Sequence, residues 1–252
     1  IQRTNLLLML IANITDRNGK EICKVEIPET IAEIKYSQYI DYSVYVNDLT
    51  EWIKQKTASG EPYKTEYFIK VGVCVSKMLG ISEDILMKTS YKNEEWLWGA
   101  WYGFEKLISE FFPVSNQGKF MHNGKSYETP KVIKSLFTGE IYSEDLTFQQ
   151  LTEINEIERV LHSSIKEIEQ QEVKTINGKV LSKLDAIATQ TWVQTIKKIA
   201  LCLADPKEIP TNSKFDSWLD ERAAELKDIS VVDALNTIFF LTNTQTSLEM
   251  YI

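Results

Sequence analysis

The chain is short of the residue types from which most catalytic and metal centres are built. Its 252 residues include only two histidines and three cysteines. His122 and His162 cannot provide the paired imidazoles of a helical zinc motif, and no cysteine stands at ligand spacing to either. Cys23, Cys74 and Cys202 form no C-x-x-C pair and are odd in number, so they read as reduced, small apolar fillers. A G-x-S-x-G elbow is also missing. No apolar run approaches the roughly 20 residues that span a bilayer, so no membrane association is expected. Positive charge is scarce too. Lys and Arg number 28 against 36 acidic residues, for a formal charge of −8. The pairs Lys54/Lys56 and Lys197/Lys198 are too sparse to displace counterions from a nucleic acid, so no direct binding of that kind is expected.

What remains is an ordinary globular mixture, 43% hydrophobic and 25% charged. With ten glycines and six prolines, the turn signals stand out. Leu6–Ile11 reads as a buried strand rather than a secretory signal, because Ala12-Asn13-Ile14 offers no small-residue cleavage site. The turn Asp16-Arg17-Asn18-Gly19 then leads to a return strand over Ile22–Ile27. Helical spacing of Tyr39, Tyr42, Val46, Leu49 and Ile53 predicts a helix from Ser37 to Gln55. A second helix is expected over Thr65–Leu79, with Phe68, Val71, Val75, Met78 and Leu79 inward and Gly80 as its stop. Ser82 is placed to cap a short helix after it.

The third long helix, Asn93–Phe112, is apolar almost all the way round, so it is either central to a core or shared with a partner. Trp96, Trp98, Trp101 and Tyr102 are the candidate interface residues, since aromatic side chains dominate interface hot spots. Gly99 and Gly103 lie on one face of that helix, where they would admit another backbone. Beyond Pro113 a connector with a second hairpin at Asn123-Gly124 precedes a long helix over Thr147–Gln170. In that helix Leu151, Ile154, Ile157, Leu161, Ile165 and Ile168 form one stripe. A third Asn-Gly stands at Asn177-Gly178. A helix over Ser182–Ala204 follows, then a pair from Phe215 to Thr242 broken at Asp228–Ser230. Ser230 would cap the last helix, whose inner face would use Leu235, Ile238, Phe239 and Leu241. The fold class is therefore mainly α, a multi-helix bundle with two or three small β-hairpins. The division is 1–112 (hairpin plus helices), 113–145 (connector with second hairpin) and 146–252 (C-terminal helical unit). An internal echo accompanies it: Ile34–Ile40 and Leu146–Leu151 share one pattern, each behind an Asn-Gly-Lys turn. A duplication would explain it.

The remaining motifs read as structural. Gly124-Lys125-Ser126 imitates the end of a phosphate loop, but the motif wants a glycine where this chain has Lys119. The pairs Glu83-Asp84, Glu94-Glu95 and Asp220-Glu221 fall at helix starts or on polar faces, where acids suit the helix dipole. No catalytic residue, cofactor or metal is expected.

Laid out this way, the chain resembles structural and tail-assembly proteins of tailed bacteriophages that infect Bacteroidetes-type hosts, crAss-like phages among them. The resemblance rests on Val25–Thr30, Ile34–Tyr39, Leu79–Glu83, the Asn123-Gly124-Lys125 hairpin before Leu146–Gln149, and Asp233-Ala234-Leu235 leading into Phe239–Leu241. Lys35 and Ser37 stand where Thr and Gly are expected in that helix opener. The resemblance implies a non-enzymatic role in a virion or its assembly, with other phage structural proteins or further copies of the chain as partners. The location would be the particle, and the host cytoplasm during assembly. Two alternatives stand beside it. One is a transient tail-assembly chaperone absent from the finished particle. The other is an unrecognised enzyme or regulator, which a pocket of polar groups near His122 or Glu94-Glu95 would favour.

Overall fold

The structure is a computed structural model describing residues 10–16, 18–60, 64–89, 94–110, 118–134, 141–143, 145–170, 175–176, 179–180, 182–211 and 213–238. Among the described residues it holds eight α-helices and four separate two-stranded antiparallel hairpins, which makes it mainly α. Two compact units divide the chain: 1–34 with 48–112, and 35–47 with 113–252. The second thus takes a stretch that the sequence division grouped with the N-terminal portion.

In the first unit, β1 (Leu10–Thr15) pairs with β2 (Glu21–Ile27). Asp16 closes the turn by accepting the amides of Asn18 and Lys20 on Oδ1, at 2.8 and 2.9 Å. Only Gly19 has positive φ (79°), so this Asn-Gly sits in a longer loop with a register shift after Ile14, not in a two-residue turn. The strand runs four residues past the predicted Ile11, up to Thr15 beside the turn that the sequence places at Asp16. Residues 48–59 of α1 (Tyr36–Ser59), α2 (Lys64–Leu79), α3 (Glu83–Lys88) and α4 (Glu94–Ser109) complete the unit.

The end of α2 is a paired-bond glycine stop. Gly80 takes φ 67°, its N–H reaches Lys77 C=O at 3.2 Å, and Ile81 N–H reaches Ser76 C=O at 2.8 Å. That geometry delivers Ile81 into a core cluster with Ile14 and Val25, against which Cys23, Leu79, Ile85 and Trp96 pack. Ser82 occupies the cap position of α3, but its side chain makes no cap bond; its carbonyl receives Ile85 and Leu86 instead.

The second unit takes Lys35 and residues 36–47 of α1, together with β3 (Lys119–His122), β4 (Lys125–Glu128), β5 (Val132–Lys134), β6 (Ile141–Ser143) and α5 (Phe148–Gln170). After these come β7 (Thr175–Ile176), β8 (Lys179–Val180), α6 (Lys183–Cys202), α7 (Phe215–Glu225) and α8 (Val231–Ile238). Helix α6 is the hub, packing on α5, α7 and α8. Tyr36 stacks on Tyr39 and tilts against Trp192 of α6, with centroids 5.9 and 6.1 Å apart, while Tyr45 Oη donates to Asp185 Oδ1 at 2.8 Å.

The α5–α6 junction rests on Gln150, which is 1% exposed. Its Oε1 accepts Thr147 N–H at 2.9 Å, and its Nε2 donates to Leu201 C=O at 2.8 Å and Ala204 C=O at 3.3 Å. One side chain therefore serves the start of α5 and the end of α6. Gln38 repeats half of this, accepting Lys35 N–H at 3.0 Å. The sequence echo is thus visible as a shared helix-opening cap. It stops short of the hairpins, since Asn123 and Gly124 both take positive φ (49° and 76°) in a two-residue turn, unlike Asn18-Gly19.

One detail of the C-terminal helices differs from the reading of the sequence. Ser230 caps α8 as expected, accepting Asp233 N–H at 3.1 Å. The buried face of α8, however, is Val231, Ala234, Thr237 and Ile238, with Leu235 only half-buried. Phe239, Leu241, Phe111, Phe112 and the Asn177-Gly178 turn lie outside the described residues.

Replacing Gln150 with Leu removes its bonds to the Leu201 and Ala204 carbonyls and to the α5 cap. It should lower stability by about 1–3 kcal/mol, seen as a reduced urea midpoint at unchanged slope. A midpoint equal to wild type would show that the junction does not depend on this amide.

Candidate functional site

Helix α4 has one buried side and one side that carries exposed aromatic surface. Leu97, Ala100, Trp101 and Phe104 are buried, with Trp101 only 5% exposed. Trp96 is half-buried on the Ile14–Val25–Ile81 cluster, and its buried Nε1 has no acceptor among the described residues. Of the four candidate anchors, the structure therefore places Trp96 and Trp101 against the unit's own interior. Trp98 and Tyr102 lie elsewhere. Their rings stack with centroids 6.0 Å apart, and Trp98 also meets Tyr67 at 6.1 Å and Phe68 at 5.9 Å from α2. Tyr102 is 61% exposed, and Ile69 beside these α2 residues is also exposed. Sequence reading singled out α4 but missed Tyr67 and Phe68, whose contribution depends on how α2 lies along α4.

A methyl group built on Gly99 or Gly103 meets no atom within 4 Å. No backbone of this chain among the described residues uses the close approach these glycines permit. They leave low ground next to the projecting Tyr102 ring.

Several charged groups of the second unit hold its hairpin. Glu225, the last residue of α7, has its carbonyl covered by Asn123 Nδ2 at 3.0 Å and by His122 Nε2 at 3.1 Å. Its carboxylate takes Lys125 Nζ at 2.8 Å, and this bond, aided by Arg222, holds it below the ordinary glutamate range. Burial, followed by the nearby Glu225 carboxylate, pushes the Tyr127 phenol up. Arg222 also pairs with Glu208. Lys125, which the phosphate-loop comparison singled out, is thus an ion-pair partner on a hairpin turn. His162 is exposed on α5, 3.4 Å from Glu158. Asp220 is bound by Lys197 at 2.7 Å. The side chains of Glu94 and Glu95 lie outside the description.

Burial pushes the thiols of Cys74 and Cys202 up to about 12, so neither presents the thiolate that nucleophilic chemistry uses near neutral pH. Among the described residues no three His, Cys, Asp or Glu side chains form a metal-holding group, and no helix is long and apolar enough to cross a membrane. A groove of about 790 Å³ runs between β4 and the end of α6.

Neither a family model, nor a curated protein, nor a solved structure matches this chain.

Truncating the two sides of α4 should give unlike results. Trp101→Ala should cost about 3–5 kcal/mol, as removal of a buried Trp does, whereas Tyr102→Ala should cost under about 1 kcal/mol. Chemical denaturation of both variants checks this, and equal costs would erase the distinction between the two sides. The Glu225 ion pair has its own signature. A carboxylate held below its unfolded range contributes stability that is complete above that range and lost as pH falls through the folded value. Glu225→Gln should therefore cost about 1 kcal/mol or less at pH 7 and flatten the loss of stability on acidification. An unaltered pH profile would count against the pair.

Proposed function

We propose that the chain is a non-enzymatic bacteriophage protein that works by protein–protein contact, as a component of the head–tail or tail assembly or packed in the particle. The observation that carries this reading is the aromatic ground of α2 and α4, with Trp98 stacked on the exposed Tyr102 and tilted against Tyr67 and Phe68, beside the open glycines. Aromatic side chains that are supported from below and exposed above suit an interface anchor, because their ring positions are set before binding. Gly99 and Gly103 would let a partner's backbone settle next to the Tyr102 ring. The resemblance to phage structural proteins supplies the setting, and the partners would be other phage structural proteins or further copies of this chain.

Quantitative mass spectrometry of purified particles, measured against the portal protein, tests the assignment. A fixed ratio matching a ring is expected. Absence from particles with abundance in infected cells would overturn the virion role in favour of a transient assembly chaperone. In parallel, Tyr102→Ala and Gly99→Met should each reduce incorporation at least tenfold while leaving the folded chain's thermal midpoint within a few degrees. Normal incorporation of both would remove the α2–α4 ground as the contact.

A further inference from the structure

Among the described residues strand β4 has only one neighbour. The pairing of Lys119 with Glu128 through His122 with Lys125 belongs to a two-stranded sheet, with no third strand among the described residues. The phase of its ladder is fixed by the bond from Thr129 N–H to Gly118 C=O at 2.9 Å and by the two-residue Asn123-Gly124 turn. Bonds to β3 therefore fall at 118/129, 120/127 and 122/125. In an antiparallel ladder the alternate residues turn their N–H and C=O groups the other way. On β4 those residues are Ser126 and Glu128. Both line the groove of about 790 Å³ whose far wall is the end of α6, from Cys202 to Pro206.

We propose that this groove binds an extended, basic peptide segment of another protein, which adds to β4 as a third strand through the N–H and C=O groups of Ser126 and Glu128. The groove is independent of the phage reading, since it lies in a different unit and uses a different chemistry. Two features of the groove select the occupant. Unpaired strand groups facing a walled groove suit a single extended chain, whose backbone repeats the same donor–acceptor spacing. A folded copy of this protein would have to pass the α6 wall. Charge selects the side chains. Lys125 and Arg222 are already paired with Glu225 and Glu208, and Glu128 lies 3.8 Å from Lys119. Asp145 and Asp205 have no cationic partner among the described residues and use one oxygen each on the amides of Lys131 and Lys207. Only Lys131 offsets them in the groove, and the whole chain carries −8. Lysine or arginine side chains on the incoming strand would meet those two carboxylates.

The test uses the full chain and two synthetic octapeptides, one alternating threonine and lysine and the other threonine and glutamate. Binding is measured by calorimetry, and hydrogen exchange is read at the Ser126 and Glu128 amides. Both amides should exchange freely in the unbound chain and become at least tenfold protected by the lysine peptide, but not by the glutamate peptide. Glu128→Pro removes one outward donor and no ladder bond, so it should weaken lysine-peptide binding at least tenfold with an unchanged circular dichroism spectrum. Ser126→Pro serves as the second variant should the first fail to fold. Protection of these amides in the unbound chain would overturn the proposal, because the edge would already be covered by the chain itself or by a second copy. Failure of the lysine peptide to bind, or equal binding to the proline variants, would overturn it as well. Equal binding of both peptides would overturn the charge selection.

Discussion

The backbone groups that a helix leaves unpaired at its ends must find partners, and where α5 begins and α6 ends one buried amide meets that demand. Gln150 receives the amide that opens α5 and gives its two N–H donors to the carbonyls that close α6. Because it is buried, water cannot take over either role, and every partner has to come from the chain. The α5–α6 contact is thereby fixed in register as well as in area. Helix α6 in turn offers its other sides to α7, α8 and the opening of α1, so the placement of several elements follows from the way this one junction is satisfied.

Much of the helical layout could be read in the sequence, because the information was local. Gly80 stops α2 through a conformation that only its own backbone needs to adopt, and Ser230 caps α8 through a bond spanning three residues. The periodic stripe of α5 likewise predicted its buried Ile154, Ile157 and Leu161. Readings that needed tertiary information were less complete. Ser82 looked like Ser230 in sequence, yet only Ser230 uses its hydroxyl as a cap. The face of α8 turned toward Ala234 and Thr237, small residues that allow a neighbour to come close and that a search for large apolar side chains passes over. Asn18-Gly19 and Asn123-Gly124 are the same dipeptide in different turns, because Asp16 captures the first in a longer loop.

The aromatic residues of α4 show the same limit from another side. Trp96, Trp98, Trp101 and Tyr102 are close in sequence, and composition alone gave no means to separate them. The helix separates them by angle: Trp101 falls with Leu97 and Phe104 into the interior, while Tyr102 points outward. The α2 rings that meet Trp98, on which Tyr102 stacks, sit at positions whose relation to α4 only the folded unit defines. A dense run of aromatics is thus two populations, one serving the core and one left on the surface.

The order in which the two units draw on the chain has a consequence for synthesis. Residues 35–47 belong to the second unit but are translated before most of the first. Once residue 112 has left the ribosome, every residue of the first unit has been made, yet this early stretch still lacks Trp192, Asp185 and Asp228, the residues that bind Tyr36, Tyr45 and Lys35. It must wait for more than half of the chain to follow. Neither unit can be produced by a single cut, and a fragment ending at residue 112 would carry exposed tyrosines made for partners it does not contain.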